Sequence, residues 1–191
     1  MGGHSKGGNL AIYSASNCDE KVRNRIVAIY SYDAPGFKDD IHLQSGYLSV
    51  VDRILKYVPN SSIVGMLLLQ EQNFFIVESN VRGILQHDAF SWVVENGDFV
   101  YLDNLKEDSV QLNRLLNTMI ENISDEERKR LVDVIYRLII KNKINTASDF
   151  VSNWKRVAFG ILLGIKGMSK DTRKAVTQMV RSLFFQMIKS G

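Results

Sequence analysis

The chain has few of the features that mark secreted and membrane-spanning proteins. Its 191 residues include one cysteine, Cys18, two prolines and three histidines. A single cysteine excludes an intramolecular disulfide and is typical of a reducing compartment. The longest apolar run in the second half, residues 157–165, is far shorter than the ~20 residues of a transmembrane helix. Because no basic segment followed by an apolar one opens the chain, we expect no signal peptide and a cytoplasmic protein.

The charge of the chain is divided unevenly between its two parts. Residues 1–123 carry 10 Lys and Arg against 15 Asp and Glu, and residues 124–191 carry 14 against 6. The basic part predicts attraction to an acidic partner, which is either the acidic part of the same chain or an anionic membrane surface. No recognition motif accompanies the charge, so we expect no nucleic acid. The cations that would face lipid headgroups are Lys155, Arg156, Lys170, Arg173 and Lys174.

The pattern of residues 1–103 predicts an α/β domain. The near-continuous apolar run of residues 25–32 is typical of a parallel strand that is buried on both faces. A second strand is predicted over residues 73–78, and Asn96-Gly97 predicts a hairpin turn. Between the two predicted strands, the apolar spacing of residues 47–58 predicts a helix that ends at Pro59.

Residues 104–191 predict a helical region that would form a cap, a lid or a docking surface. Apolar residues recur with helical spacing from Ser109 onwards. Ser124 with Glu127 forms a capping box, and Ser148 and Ser169 are expected to cap the next two helices. The composition changes near residues 104–109, where we place the domain boundary.

The motif that carries chemistry lies at the start of the chain. Gly3-His4-Ser5-Lys6-Gly7 matches G-x-S-x-G, in which a serine lies on a strained turn between a strand and a helix. The glycines allow the close backbone approach that leaves Oγ exposed. The helix N-terminus suits a developing oxyanion, and the backbone N–H of Lys6 would be one donor. A phosphate-binding loop is excluded, because it needs a hydroxyl directly after the lysine.

A longer string of residues connects this motif to known families. Gly-Gly-His-Ser-Lys-Gly-Gly-Asn-Leu-Ala, residues 2–11, resembles the elbow of class 3 lipases and still more that of the bacterial Mbeg-like family of lipase-like proteins. The resemblance continues through residues 33–37, 58–65 and 86–92 and covers residues 1–103. It implies the C-terminal half of an α/β-hydrolase sheet, mostly parallel with a hairpin. It also implies serine esterase or lipase activity on small-molecule or lipid esters, with no metal or cofactor.

Such a serine needs a base, and the chain offers three histidines. His4 lies inside the elbow, where adjacency holds it away from Oγ, and His42 lies in a polar stretch typical of the surface. His87 lies in a loop before the hairpin, where the base of this fold belongs, and within the resembling motif. We therefore expect His87 to be the base.

The acid that orients the base is predicted at Asp33. Asp33 follows the first strand after the elbow, at the carboxyl edge where α/β sites assemble. Class 3 lipases place an Asp one strand later, but the corresponding residues 58–65 contain no carboxylate. Glu78 is the second candidate, and a turn-capping role is the alternative for Asp33.

The position of the elbow creates one further expectation. No residues precede Met1 to form the strand that enters the elbow or the loop with the second oxyanion donor, so we expect both in an upstream segment. The 191 residues alone would then have little hydrolase activity and an open sheet edge prone to self-association. The competing interpretation is a non-catalytic helical interaction protein that keeps a hydrolase remnant.

Overall fold

A computed structural model of the protein describes residues 1–38, 40–68 and 73–189. The chain divides into an N-terminal unit, Met1–Asn113, and a C-terminal unit, Arg114–Gly191.

The N-terminal unit is built on a mostly parallel β-sheet, which confirms the predicted α/β class. Its five strands have the spatial order β1-β2-β3-β4-β7. The first three pairs are parallel and the pair β4–β7 is antiparallel. The predicted hairpin is present as a separate two-stranded sheet, β5–β6. The strands are β1 Gly2–His4, β2 Ile29–Tyr32, β3 Ile54–Pro59, β4 Phe75–Val77, β5 Val94–Glu95, β6 Asp98–Phe99 and β7 Tyr101–Leu102.

Helices cover one face of this sheet and form its main core. The helices are α1 Lys6–Asn17, α2 Glu20–Arg23 and α3 Ser45–Leu48. In α1, apolar side chains at positions 11, 12 and 15 share one face, as the helical period requires, and pack with Ile29 of β2 and Tyr47 of α3. This packing holds the first turn of α1 next to the end of β1, and the G-x-S-x-G motif lies at this junction.

The opposite face of the sheet carries aromatic side chains. Tyr32 stacks on Tyr57 at 5.5 Å, and Tyr57 stacks on Phe75 at 5.1 Å between ring centroids. Trp92 and Phe99 pack edge-on against Tyr32 at 6.1 and 6.4 Å, so the segment that carries them lies on this face. Burial raises the pKa of Tyr32 and that of Tyr57 above the ordinary value for tyrosine.

The predicted turn of the hairpin has the backbone conformation that its sequence requires. Asn96 and Gly97 have φ of 53° and 86°, as a two-residue hairpin loop with two left-handed positions needs. Nearby, burial and a hydrogen bond to Asp98 raise the pKa of Tyr101 to about 12.

The helix predicted over residues 47–58 is wrong. The chain forms α3, then a 3₁₀ turn at Val51–Arg53, and then the strand β3. Apolar residues 54, 55 and 58 satisfy either period, and parallel pairing of β3 with both β2 and β4 decides for the strand. The strand predicted over residues 25–32 is present but shorter, since only Ile29–Tyr32 pairs.

The C-terminal unit is helical, as the sequence predicts. Its helices are α4 Glu107–Asn122, which begins in the N-terminal unit, α5 Asp125–Lys141, α6 Ala147–Gly164 and α7 Lys170–Lys189. Ser124 and Ser169 cap α5 and α7 as predicted. The prediction for Ser148 is wrong, because Thr146 caps α6 in a capping box with Asp149.

Close packing joins α5 and α6. A Cβ atom on Gly160 would lie 2.3 Å from Leu138, and one on Gly164 would lie 2.5 Å from Val134. These glycines therefore allow the two helices to approach. Within the described part of the chain, no helix is long and apolar enough to cross a membrane.

Candidate catalytic site

Ser5 lies on the turn between β1 and α1 in a strained backbone conformation. The expectation that the strand entering the elbow lies upstream of Met1 is wrong, because β1, Gly2–His4, is that strand and pairs in parallel with β2. The φ of 54° and ψ of −128° at Ser5 fall in a region that residues with a Cβ atom rarely adopt. The turn is held on both sides: the Ser5 N–H donates to the carbonyl of Tyr32 at 2.9 Å, and Gly8 donates to the carbonyl of Ser5 at 3.0 Å. The Ser5 hydroxyl does not cap the helix. The backbone is thus strained at the one serine that the motif singles out.

Two glycines allow this turn to form, but they are not the two that the motif predicts. A Cβ atom on Gly3 would lie 2.4 Å from the carbonyl carbon of Gly7, so Gly3 is required. A Cβ atom on Gly8 would lie 2.7 Å from both Ala34 Cβ and the Gly3 carbonyl oxygen. Gly7, in contrast, has no atom within 4 Å of the position of such a Cβ. The sterically required pair is therefore Gly3 and Gly8.

His87 and Asp33, which are 54 residues apart in the chain, form a hydrogen bond of 2.7 Å between Nδ1 and Oδ2. Asp33 directly follows β2, has φ of 45° and is 0% exposed. His87 ends the 3₁₀ segment Gly83–His87. Because an ionised carboxylate only accepts, Nδ1–H is the donor, and in the neutral imidazole Nε2 then carries the lone pair.

The sheet brings Ser5 to the same edge as Asp33. In the parallel register of β1 and β2, His4 lies opposite Tyr32, so the following residues, Ser5 and Asp33, emerge side by side. His4 also contacts His87: its Nε2–H donates to the His87 carbonyl at 2.5 Å, and the two ring centroids are 4.5 Å apart. Ser5, Asp33 and His87 therefore gather at the carboxyl edge of the sheet.

Residues that the sequence did not single out hold Asp33 in place. Its second carboxylate oxygen, Oδ1, accepts from Ser62 Oγ at 2.5 Å and from the Gly65 N–H at 3.1 Å. Two side chains of α4, Ser109 and Asn113, donate to the Ser62 carbonyl at 2.8 and 2.7 Å. The segment 58–65 contains no carboxylate of its own, but it donates these two hydrogen bonds to the carboxylate of Asp33. No local sequence signal links these residues to Asp33.

A buried glutamine fixes the segment before His87. Gln86 is 1% exposed, and its side chain accepts from the Ser61 N–H and donates to the Val81 carbonyl, both at 2.8 Å. The indole of Trp92 donates to the Gln86 carbonyl at 2.8 Å. Since Gln86 precedes His87, these contacts limit the movement of the imidazole.

Of the other residues considered from the sequence, Glu78 and His42 lie outside this cluster, whereas Lys6 directly follows Ser5. Glu78 is exposed, and His42 lies in the 3₁₀ turn Ile41–Leu43, where its Nδ1 has no hydrogen-bond partner among the described residues. The Lys6 side chain donates to Asn9 at 2.8 Å, and its backbone N–H opens α1. Over residues 1–38, 40–68 and 73–189, no three His, Cys, Asp or Glu residues group as a metal site would require.

Comparison with known proteins places the chain in a family. The model of a family described as Mbeg1-like matches residues 1–137, which include the whole cluster. No curated protein and no solved structure matches the chain.

Proposed function

We propose that this chain, which belongs to the Mbeg1-like family, is a serine hydrolase of the α/β-hydrolase superfamily, related to class 3 lipases, that cleaves carboxylic esters. One observation carries the proposal: a strained serine at a strand-to-helix turn shares a sheet edge with a histidine hydrogen-bonded to a buried aspartate. Residues held in sparsely populated backbone conformations cluster at functional sites. The nucleophile Ser5, the acid Asp33 and the base His87 follow in the chain order Ser, Asp, His that this hydrolase class uses.

The proposed reaction is acyl transfer to water. Ser5 Oγ attacks the ester carbonyl carbon as His87 Nε2 takes its proton, and the Lys6 N–H stabilises the oxyanion. The carbon–oxygen bond to the alcohol then breaks, and His87 returns the proton to the departing oxygen. Water attacks the acyl-enzyme with His87 again as base, which releases the acid and restores Ser5. Asp33 stays ionised and stabilises the imidazolium through Nδ1–H.

Labelling with a fluorophosphonate probe tests the nucleophile and the base. In a protein with any upstream segment restored, we expect stoichiometric labelling of the wild type at Ser5, located by peptide mass spectrometry, and none of Ser5→Ala. His87→Ala is expected to slow labelling by roughly 10²–10⁴-fold, because the base is lost. The matched control His42→Ala should label at the wild-type rate. Undiminished labelling of Ser5→Ala contradicts the proposal.

The same assay tests the acid. Asp33→Asn is expected to slow labelling more than about tenfold but less than His87→Ala does, since it leaves the base present but wrongly oriented. Glu78→Gln removes an exposed carboxylate that lies outside the cluster, and it should not change the labelling rate. The assignment is wrong if Glu78→Gln is the damaging change and Asp33→Asn is silent.

A second candidate function is binding to an anionic membrane surface through the basic helices. It is favoured by the exposure of the five cations predicted for it, two in α6 and three in α7. Each is expected to contribute about 1 kcal/mol near an anionic surface. Sedimentation with phosphatidylserine vesicles tests this function, and we expect binding to weaken when Lys170, Arg173 and Lys174 are replaced by Gln. Equal binding to neutral phosphatidylcholine vesicles would contradict it.

A further inference from the structure

His4 makes an unusual contact for an exposed side chain. It precedes Ser5 directly, and its Nε2 lies 2.5 Å from the carbonyl oxygen of His87, a residue 83 positions away. Its ring also lies 4.5 Å from the His87 ring, at an angle of 40°. Exposed side chains seldom keep one geometry unless specific partners hold them, because solvent competes for their hydrogen bonds. This contact joins the elbow directly to the segment that carries the proposed base.

The hydrogen bond from His4 holds His87 at an atom that Asp33 does not contact. Asp33 holds the imidazole of His87 at Nδ1 only, and a ring held at one atom can pivot about that hydrogen bond. Gln86 holds the backbone before His87, and the bond from His4 holds the His87 carbonyl itself at a second point. Since His4 is covalently joined to Ser5, this second point locates the base relative to the nucleophile itself.

The geometry points to a role in catalysis rather than in folding. We propose that His4 is a positioning residue that sets the distance between the Ser5 hydroxyl and His87 Nε2, an inference that rests on the proposed serine hydrolase function. An error of about 1 Å in such a distance can lower a rate by roughly 10²-fold. Because His4 is exposed, its removal leaves no buried cavity.

Three substitutions at this position separate the hydrogen bond from the ring. The Gln side chain places an N–H donor close to the position of Nε2, whereas Asn is one methylene shorter and places it near Nδ1. Ala removes the donor. The readouts are the maximal rate of fluorophosphonate labelling, the probe concentration at half that rate, and the thermal unfolding midpoint of the full chain.

We expect His4→Ala to lower the maximal labelling rate by roughly 10–100-fold, with less than about a twofold change in the half-saturating concentration. The unfolding midpoint should not change. His4→Gln should recover most of the rate, and His4→Asn should resemble His4→Ala. In proton NMR spectra, the low-field signal of the His87 Nδ1–H should broaden in His4→Ala and sharpen again in His4→Gln.

Two results would overturn the inference and leave the proposed function intact. One is a wild-type labelling rate in His4→Ala while His87→Ala is slow. The other is an equal loss of rate in His4→Ala and His4→Gln together with a lower unfolding midpoint, which shows a structural role. If instead Ser5→Ala is labelled as the wild type is, or the wild type is not labelled at all, the proposed function fails and this inference fails with it.

Discussion

The backbone strain at Ser5 predicts a reversal in the usual order of alanine and glycine. At most positions glycine is the less stable of the two, because it loses more conformational freedom on folding. At Ser5, with φ of 54° and ψ of −128°, any residue with a Cβ atom is strained by roughly 1–3 kcal/mol. Both substitutions remove the same hydroxyl, so the difference between Ser5→Ala and Ser5→Gly isolates the backbone term.

The size of the difference follows from two opposing terms. Glycine relieves the strain, and its greater freedom in the unfolded chain offsets about 0.4–1 kcal/mol of that gain. We therefore expect Ser5→Gly to be more stable than Ser5→Ala by roughly 1–2 kcal/mol. For a chain of this length, that difference raises the unfolding midpoint by roughly 2–8 °C. Urea unfolding, followed by tryptophan fluorescence and by circular dichroism, measures the difference in the free energy of unfolding between the two variants.

Ser49 provides the matched control. Ser49 is exposed and Ser5 is partly buried, but the φ of −76° and ψ of −10° at Ser49 are ordinary helical values. There, Ser49→Gly should be less stable than Ser49→Ala by about 0.5–1 kcal/mol. A glycine variant at Ser5 that is no more stable than its alanine variant would refute the strain. It would also remove the main structural argument for a functional serine.

Further predictions concern the packing of the elbow, the support of Asp33 and one acidic cap. Gly3→Ala should abolish Ser5 labelling and lower stability, because the new Cβ meets backbone at 2.4 Å. Gly7→Ala should leave labelling unchanged and raise stability by up to about 1 kcal/mol in urea, because Gly7 lies in the first turn of α1 with open space around its Cβ position. Ser62→Ala should lower the free energy of unfolding by about 1.5–3 kcal/mol in urea, since it removes a buried hydrogen bond to a carboxylate. The hydrogen bond from the Ser169 N–H lowers the pKa of Glu127 below 4.5, so its contribution to stability is present above that pH and is lost as pH falls through the acid range. Urea unfolding from about pH 6 to about pH 3 should show this loss in the wild type and less of it in Glu127→Gln.

Local signals in the sequence predicted those elements whose causes are local. The hairpin at Asn96-Gly97 and the cap at Ser124 are each decided by the conformational preferences of a few neighbouring residues. The cap at Thr146 was missed because Ser148, two residues later, carries a similar hydroxyl. A choice between such neighbours depends on backbone angles that composition does not reveal.

Elements with long-range causes were predicted less well. Residues 54–58 fit a helical stripe, and only pairing with β2 and β4 makes them a strand. The strand over residues 25–32 was predicted too long for the same reason, because its pairing begins at Ile29. Periodicity cannot distinguish these cases where a segment is short and apolar.

The candidate site shows the same division. From the residues alone came Ser5 in its motif, His87 and Asp33 as its expected partners, and the α/β class of the N-terminal unit. The parallel register that places Ser5 beside Asp33, the donors Ser62 and Gly65, and the contact from His4 to His87 exist only in the folded chain. Each of these contacts joins residues 28 or more positions apart, the pairing of β1 with β2 being the nearest in sequence. A motif specifies the local backbone, whereas geometry between distant side chains depends on how strands pair and helices pack.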